Sequence, residues 1–365
     1  MKYLLILFLL LVGYVGWHLW MLPPAARWLK WCVVGLTALC VAMAVFSLTR
    51  WLDRVPMGLA TVVYNVGNKS LIVLAYMLIF FLLADLLRLV HLVPTAWLRD
   101  NWWTCGVLMA VLTGVFVYGS VHYRHKVRVP LALESHGKAL GDGRGVKLVC
   151  MSDLHLGYHN RRAELARWVD LVNAEKPDAV LLAGDLIDRS LRPLLHDDMA
   201  AELRRIEAPV YACLGNHEYY ADHYTPGEVE RFYRDAGITL LRDSVAVVKG
   251  MAVVGRDDRT NPRRLGVGRL MEGVAHADSL FTILLDHQPY HLEEAEQAGF
   301  DFQFSGHTHR GQVWPLSWVT DAIYECSWGY LRKGGTDIYV SSGMGIWGAK
   351  YRIGTQSEYV VVTID

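Results

Sequence analysis

The 365 residues carry 36 basic and 36 acidic side chains, so the formal net charge is zero, and the length allows two domains. This balance hides a division near Arg128, because residues 1–128 hold 11 Lys and Arg against three acids while the remainder has a net charge of −8. The six cysteines include no CxxC pair, which argues against a disulfide framework and against a cysteine metal site.

Apolar runs in the first part predict four membrane-spanning helices. A helix needs ~20 residues to cross the hydrocarbon core of a bilayer, and the runs that reach or approach this length are 3–22, 31–48, 71–93 and 103–121. Asp85 and Arg88 interrupt the third run, and their i,i+3 spacing lets them pair on one helix face. We expect a structural pair rather than a transport pathway. A cleaved signal peptide would resemble the first run, but the three runs after it favour an anchored, multi-pass protein.

The basic residues near the helix ends predict the orientation. Seven Lys and Arg lie on the side that carries the N-terminus, and three lie on the other side. Cytoplasmic loops carry the excess of positive charge, and four crossings return the chain to its starting side. We therefore expect residues 1–128 to sit in a bacterial-type inner membrane. A Gly-rich linker, 129–146, then leads to a cytoplasmic domain, 147–365.

In this second domain, short apolar runs alternate with helical patterns, which predicts a layered α/β fold. Five of the runs end in polar clusters, namely SDLHLG, GDLID, GNHE, DHQP and SGHTH. In α/β folds the functional groups gather at the carboxyl ends of strands. Asp and His ligands suit Mn, Fe or Zn, and two such ions about 3.5–4 Å apart suit phosphoester hydrolysis. Glycines before Asp185, Asn216 and His307 permit the tight turns.

The motifs DLH, GDLID, GNHE, DH and GHTH, in this order, resemble the calcineurin-like metallophosphoesterase family over nearly all of residues 147–365. LDHQP, GHTHRGQ and the segment SSGMGIWG resemble its membrane-associated branch, which includes a UDP-2,3-diacylglucosamine pyrophosphatase. The resemblance implies a four-layer αββα sandwich with two mixed β-sheets, here following an N-terminal four-helix transmembrane region. It also implies two divalent metal ions, with Mn as the first choice and Fe or Zn as alternatives.

The resemblance assigns a role to each motif residue. The seven implied metal ligands are Asp153, His155 and His309 for one ion, Asn216, His287 and His307 for the other, and Asp185 as the bridge. His217 would act in catalysis by stabilising charge at the scissile phosphate or by protonating the leaving oxygen. Arg310 stands where many relatives have Gly, and it either binds a phosphate oxygen of the substrate or lies solvated. Structural hydrogen bonding is expected of Glu218 and Asp188, and packing is expected of Trp314.

The leading interpretation is a membrane-anchored hydrolase of a phosphoester or pyrophosphate bond, acting on a lipid-linked substrate similar to UDP-2,3-diacylglucosamine. One alternative is a phosphodiesterase or phosphatase that acts on soluble nucleotides or phosphoproteins. A second alternative, from another class, is a non-catalytic membrane scaffold or transporter. No nucleic-acid partner is expected, because the second domain is net negative and lacks a basic stripe.

Overall fold

The computed structural model describes residues 2–138, 140, 141, 143, 145–223 and 226–365. The chain divides into two compact units, which are considered separately below. The first extends to Ser120 and includes Gly348–Lys350, and the second comprises Val121–Trp347 and Tyr351–Asp365.

Four long helices make up the N-terminal region, and they are α1 (Lys2–Met21), α2 (Arg27–Ser47), α3 (Met57–Leu89) and α4 (Trp102–Arg124). Among the described residues, α2, α3 and α4 are long and apolar enough to cross a membrane, and α1 adds a shorter apolar stretch, Ile6–Met21. Many of their large apolar side chains are exposed, as is expected for helices that are surrounded by lipid tails.

The third helix runs from Met57 to Leu89, so it begins well before the predicted span 71–93 and ends four residues before that span does. Polar residues before residue 71 interrupt the apolar run and concealed the helix. Their amides are satisfied one turn back along the same helix, with Asn65 donating to the Thr61 carbonyl and Asn68 to the Tyr64 carbonyl, both at 2.8 Å. Such local bonds let polar side chains remain within a helix whose hydropathy is interrupted.

Helices α2 and α3 touch through their backbones at Gly67. A Cβ added at this position would lie 2.5 Å from the backbone nitrogen of Ala44. Next to this contact, the buried Asn68 amide donates to the Ser47 hydroxyl at 3.2 Å. Small residues of this kind let membrane helices approach closely enough for extensive van der Waals contact.

The pair formed by Asp85 and Arg88 belongs to a larger cluster. The guanidinium of Arg88 lies 3.3 Å from the Asp85 carboxylate. On α1, the Tyr14 hydroxyl donates to the same carboxylate at 2.7 Å, and Nε2 of His18 lies 3.0 Å from it. The His18 ring is stacked on Phe81 with centroids 4.4 Å apart. The acid therefore joins α1 to α3, as the structural interpretation of the pair predicts.

The second unit is built from strands and shorter helices. Its strands are β1 (Lys126–Leu133), β2 (Val146–Met151), β3 (Ala179–Ala183), β4 (Val210–Cys213), β5 (Ile238–Leu240), β6 (Ser244–Val248), β7 (Met251–Gly255), β8 (Phe281–Leu285), β9 (Phe302–Ser305), β10 (Gly329–Lys333), β11 (Thr336–Val340) and β12 (Ser357–Ile364). Its helices are α5 (Arg162–Ala174), α6 (Arg192–His196), α7 (Met199–Leu203), α8 (Asn216–Asp222), α9 (Glu228–Asp235), α10 (Val267–Glu272), α11 (Glu293–Ala298) and α12 (Leu316–Ile323).

The strands form two six-stranded mixed sheets, in the orders β1-β12-β2-β3-β4-β5 and β10-β11-β9-β8-β7-β6. A core that includes Cys150, Ile283 and Phe302 fills the space between the sheets. The outer face of the first sheet is covered by α5, α7 and α9, with Trp168 and Phe232 in its core. Helices α10 and α11 cover the second sheet. The predicted four-layer sandwich with two mixed β-sheets is confirmed.

Strand β1 lies across the predicted domain boundary. Residues 126–133, which the sequence assigned to the end of the membrane region and to the linker 129–146, pair in parallel with β12 along their whole length. The strand lies at the edge of its sheet, where a proline such as Pro130 is tolerated. Its apolar alternation is short and mixed with basic residues, which made it resemble a polar connection. We therefore propose that the second domain, set at 147–365 from the sequence, also includes β1.

The contact at Gly67 gives a prediction for the first unit. Gly67→Leu should destabilise the helical unit by about 1–3 kcal/mol, because the added side chain overlaps the α2 backbone. Unfolding of the protein in mixed micelles of increasing SDS content would measure this. Gly35→Leu is the matched control, since nothing lies within 4 Å of a Cβ added at Gly35. Equal destabilisation by the two substitutions would contradict the assigned contact.

Candidate metal centre

The predicted site residues follow the carboxyl ends of five strands. In chain order they are Asp153 and His155 after β2, Asp185 after β3, Asn216 and His217 after β4, His287 after β8, and His307 and His309 after β9. Strands β2, β3 and β4 are parallel neighbours in the first sheet, and β8 and β9 are parallel neighbours in the second. The carboxyl ends of parallel neighbours meet at one edge of a sheet, and these two edges bring the side chains together.

Several of these residues have a left-handed backbone. The φ angle is 56° at Asp153, 45° at His155, 53° at Asp185, 71° at His307 and 48° at His309. For residues with a Cβ this conformation costs roughly 1–2 kcal/mol each. Such strain persists where the surrounding structure enforces it, and it is concentrated at functional sites. The turns after the strands are therefore shaped to direct these side chains inward.

Asp153, His155 and His309 form the first ligand group, with one donor atom from each lying within 4.8 Å of the others. Nε2 of His309 lies 3.5 Å from Oδ1 of Asp153, and Nε2 of His155 lies 3.1 Å from Nε2 of His309. Two imidazole nitrogens that face each other at this distance need a proton or a cation between them. The group offers the donors expected for the first metal ion.

Asp185, His287 and His307 form the second ligand group at the same spacing. Nε2 of His287 lies 3.1 Å from Oδ2 of Asp185. Nδ1 of His287 donates to the Ala183 carbonyl at 2.8 Å, which leaves the lone pair on Nε2, as in many metal-binding histidines. The side-chain oxygen of Asn216 is buried and has no hydrogen-bond partner among the described residues.

Asp185 lies between the two groups. Besides its contact with His287, its Oδ2 is 3.7 Å from Nε2 of His155, which belongs to the first group. Its other oxygen accepts the backbone N–H of His217 at 3.0 Å. This placement suits a carboxylate that bridges two ions.

His217 joins Asp185 and His155 in a third cluster with the same 4.8 Å spacing. Its Nδ1 is bonded to the Asp188 carbonyl, which can only accept, so Nδ1 carries the proton and Nε2 remains free to take part in chemistry. The His217 and His155 rings meet edge to face with centroids 4.5 Å apart. Unlike most of the ligands, His217 is only half-buried, so it lies where a substrate can reach it.

Glu218 and Asp188 support the ligands. The Glu218 carboxylate accepts the backbone N–H groups of Asp185, Ile187 and Gly215 at 2.8–3.0 Å, which ties the β3 turn to the start of α8. Burial and then the charge of Asp185 raise the pKa of Glu218 to about 7. Oδ1 of Asp188 lies 3.5 Å from Nδ1 of His155 and orients that ring. Glu218 acts through hydrogen bonds to the backbone, and Asp188 acts through its charge beside the His155 ring.

Arg352 belongs to none of the sequence motifs, and its role is visible only in the structure. Its side chain is fully buried, and its guanidinium donates to the carbonyls of His309, Ser342, Gly343 and Gly345 at 2.5–3.2 Å. It thus clamps the SSGMGIWG segment to the HTH loop. Burial lowers the pKa of Arg352 to about 10, so the group stays charged at neutral pH. Only its place nine residues after the Gly-rich segment SSG could have drawn attention to it.

Two glycines of the motifs lie against the central carboxylates. A Cβ on Gly215 would lie 2.1 Å from an oxygen of Asp185, and one on Gly306 would lie 2.3 Å from an oxygen of Asp153. These distances are far shorter than any van der Waals contact. The glycines of GNHE and GHTH are required because there is no room for a side chain.

Arg310 lies beside the site on the loop of His309. Its guanidinium carbon is 4.2 Å from the centre of the Trp328 ring, a cation–π arrangement. Among the described residues, the guanidinium has this ring contact and no carboxylate within ion-pair distance, so its donors remain available to an anion.

The residues of the site fit divalent cations. The donor set consists of carboxylate, imidazole and carboxamide groups without thiolates, which suits Mn, Fe or Zn. Burial lowers the pKa of His307 to about 4, so its ring is neutral and has a lone pair to offer. At His155 burial opposes protonation, but the carboxylates of Asp153 and Asp188, 3.8 and 3.5 Å from its ring nitrogens, raise the pKa to about 10. In the metal-free protein a proton at His155 therefore occupies a place that a cation would take.

Comparisons with known proteins agree with this geometry. Residues 146–311 match the family model described as calcineurin-like phosphoesterase. A Caenorhabditis elegans protein named as a metallophosphoesterase is 30% identical over 320 residues, covering 80% of this chain and 65% of its own length. An Aquifex aeolicus protein, also named as a metallophosphoesterase, is 29% identical over 71% of this chain and 98% of its own.

A third relative is the zebrafish (Danio rerio) "transmembrane protein with metallophosphoesterase domain", which is 30% identical over 71% of this chain and 62% of its own length. The chain thus spans slightly less than two thirds of the nematode and zebrafish proteins. The apolar helices and this relative together indicate that the chain associates with a membrane.

Metal binding to the two groups gives the second prediction. Added Mn²⁺ should raise the Tm of the purified protein, because a cation relieves the repulsion among the buried carboxylates. The increase should be larger at about pH 8 than at about pH 6. His155 is protonated over this range in the metal-free protein, so binding releases its proton and is favoured as pH rises.

Asp185→Asn should abolish most of that Tm increase, since it removes the charge shared by both groups. Asp278→Asn, in the short 3-10 helix Ala277–Ser279 away from the site, is the control and should keep it. A full Mn²⁺ response in the Asp185 variant would show that the ions bind elsewhere.

Arg352 gives the third prediction. Arg352→Met should weaken Mn²⁺ binding about 10- to 100-fold, because the carbonyls that position the His309 loop lose their donor. Isothermal titration calorimetry on the folded variant would measure the affinity. Arg332→Met removes a half-exposed guanidinium 3.5 Å from Asp337 and should leave it unchanged. An unaltered affinity in the Arg352 variant would refute the clamp.

Proposed function

Since residues 146–311 form a calcineurin-like metallophosphoesterase domain, we propose that the chain is a membrane-anchored, dinuclear-metal hydrolase that cleaves a phosphoester or pyrophosphate bond in a lipid-linked substrate. Metal-dependent phosphoester hydrolysis follows from the family and the ligand groups. The lipid-linked nature of the substrate is the further step. It is supported by the way the domain is attached to its membrane helices.

The attachment is the observation that carries the proposal. Helix α4 ends at Arg124 and strand β1 begins at Lys126, so a single residue separates a candidate membrane span from a strand of the hydrolase fold. β1 is paired along its whole length with β12. A domain joined so tightly is held at the bilayer surface. There it meets substrates that diffuse in the plane of the membrane, such as a UDP-diacylglucosamine-like lipid.

Within the site, we assign separate roles to the metal ligands and to His217. Bound cations supply Lewis-acid stabilisation of phosphate oxygens and lower the pKa of a water molecule. In this proposal, seven residues hold the ions: Asp153, His155, Asp185, Asn216, His287, His307 and His309. His217 carries its proton on Nδ1, held by the Asp188 carbonyl, so Nε2 can receive a hydrogen bond or, once protonated, donate to the leaving oxygen.

Arg310 is proposed to bind a non-reacting phosphate oxygen. Its ring contact with Trp328 fixes the guanidinium plane, and its N–H donors have no carboxylate partner among the described residues. A planar guanidinium can hold a phosphate through two parallel hydrogen bonds. This arrangement favours binding of the substrate over a merely solvated side chain.

The orientation is also part of the proposal. Seven Lys and Arg lie near the helix ends on the side of the hydrolase domain, against three on the other side. The positive-inside rule then places four crossings in a bacterial-type inner membrane with the hydrolase domain in the cytoplasm.

Hydrolysis by the full chain in nanodiscs with Mn²⁺ tests the proposal. The probes are a nucleoside-diphosphate-linked lipid in the same bilayer, a cyclic nucleotide and a soluble phosphopeptide. We expect cleavage of the lipid, with a loss of about 10²–10⁴-fold for His217→Ala because a general acid is removed. His291→Ala, which changes an exposed histidine, is the control and should retain wild-type activity.

Two outcomes would contradict the proposal in different ways. Cleavage of the soluble probes without cleavage of the lipid would assign the chain to nucleotides or phosphoproteins. No cleavage of any probe by Mn²⁺-loaded protein, with Asp185→Asn indistinguishable from wild type in every assay, would favour a non-catalytic scaffold or transporter.

A further inference from the structure

Helix α12 (Leu316–Ile323) has its apolar side turned away from the protein. Leu316, Trp318, Val319 and Ile323 are all exposed large apolar residues, and within the helix only Ser317 is buried. In a soluble protein an amphipathic helix places its apolar stripe on the core and its polar side in water. This helix instead leaves its apolar side exposed.

The helical spacing places the exposed apolar residues together on one side of the helix. At 3.6 residues per turn, Leu316, Val319 and Ile323 fall on one side of the helix, and Trp318 extends that side. Ser317, Thr320 and Asp321 fall on the other side. The Thr320 hydroxyl donates to the Ser317 carbonyl at 2.9 Å, and the Ser327 hydroxyl donates to the Asp321 carboxylate. The polar side is thus joined to the following loop through Asp321, and the apolar side is exposed.

Just before the helix, Trp314 enlarges the same surface. Its ring meets that of Trp318 edge to face with centroids 5.4 Å apart, and 41% of the residue is exposed. Five large apolar side chains therefore form one exposed patch, defined here as the α12 patch: Trp314, Leu316, Trp318, Val319 and Ile323. Contiguous exposed patches of this kind mark sites of contact with a protein or a membrane.

The α12 patch is rigidly connected to the metal centre. His309 and Arg310 precede the helix, and Gly311 lies against its first residues. A Cβ added at Gly311 would lie 2.3 Å from the carbonyl carbon of Leu316 and 2.4 Å from the nitrogen of Ser317. This backbone-to-backbone contact means that whatever holds α12 also fixes the position of the loop that carries a metal ligand.

Two observations identify the occupant as a lipid bilayer. The domain is attached to a candidate membrane span through one residue, so a bilayer is always close to it. The helix contains no Lys or Arg, and its exposed side combines two tryptophans with aliphatic residues. Tryptophan favours the interface between headgroups and acyl chains, and a helix can lie there with its apolar side inserted.

We propose that α12 is an interfacial helix, whose Trp314, Leu316, Trp318, Val319 and Ile323 insert into the bilayer and hold the metal centre at its surface. The insertion is hydrophobic and does not depend on anionic lipids, because the helix has no basic residue to attract them. This docking does not require the hydrolysis proposed above. If α12 inserts and the chain also hydrolyses a lipid-linked substrate, the acyl-bearing part of that substrate lies in the bilayer next to α12, close to His309.

Photo-crosslinking of the full chain in phosphatidylcholine nanodiscs tests the insertion without reference to activity. A p-benzoylphenylalanine placed at Trp318 should give lipid adducts, detected by mass spectrometry, in bilayers with or without anionic lipid and at low or high salt. The same group at Val247 in β6 is the matched control, because the two native side chains are 64% and 63% exposed. Lipid adducts should be at least about tenfold fewer there, since burial of a large apolar side chain contributes about 1.5–3 kcal/mol.

Equal labelling at the two positions, or crosslinks from position 318 to protein instead of lipid, would overturn the proposal. The double substitution Trp318→Asp and Val319→Asp separates this result from the proposed reaction. It should reduce cleavage of the lipid-linked probe while sparing a small soluble phosphoester such as p-nitrophenyl phosphate. Equal loss on both probes would show that the changes disturb the His309 loop, and lipid adducts without cleavage of any probe would refute only the hydrolase.

Discussion

The burial of two carboxylates, Asp153 and Asp185, is the constraint on which the rest of the second unit depends. Both are almost fully removed from solvent, and taking an ion out of water costs several kcal/mol even after relaxation. Backbone amides offset part of this cost, with the N–H of His307 donating to Asp153 at 3.1 Å and that of His217 donating to Asp185 at 3.0 Å. The surrounding imidazoles cannot all be protonated at once, and a pair of divalent cations held by these residues would compensate the remaining negative charge.

The same constraint explains why the fold is a sandwich with a fixed register between its sheets. Gly306 follows a strand of the second sheet, yet a Cβ added to it would lie 2.3 Å from an oxygen of Asp153, which follows a strand of the first sheet. His287, also from the second sheet, donates to the Ala183 carbonyl in the first. A shift of one sheet along the other by a single residue would separate these partners. Core packing holds the two layers together, and the polar contacts at the strand ends select their alignment.

How much could be predicted from the sequence depended on whether the information was local. Motif residues such as Asp185 directly follow their strands, so strand ends and ligands could be found together. Arg352 could not be found, because its partners are carbonyls contributed by separate loops. The start of α3 was hidden by Asn65 and Asn68, whose bonds lie within the helix. The apolar spacing of α12 is visible in the sequence. Periodicity identifies an apolar side of a helix, but it does not reveal whether that side packs on the protein core or is exposed at the surface.

The position of β12 has a consequence for biosynthesis. This last strand in chain order lies between β1 and β2, which are neighbours in the chain but do not pair with each other. During synthesis, β1 emerges from the ribosome directly after the four N-terminal helices. It cannot pair with β12 until residues 357–364 have been synthesised. Pairings over such long sequence separations form late. In the proposed membrane-anchored protein, the first unit is therefore in place while the second is still an incomplete nascent chain, and the second unit folds on an already tethered polypeptide.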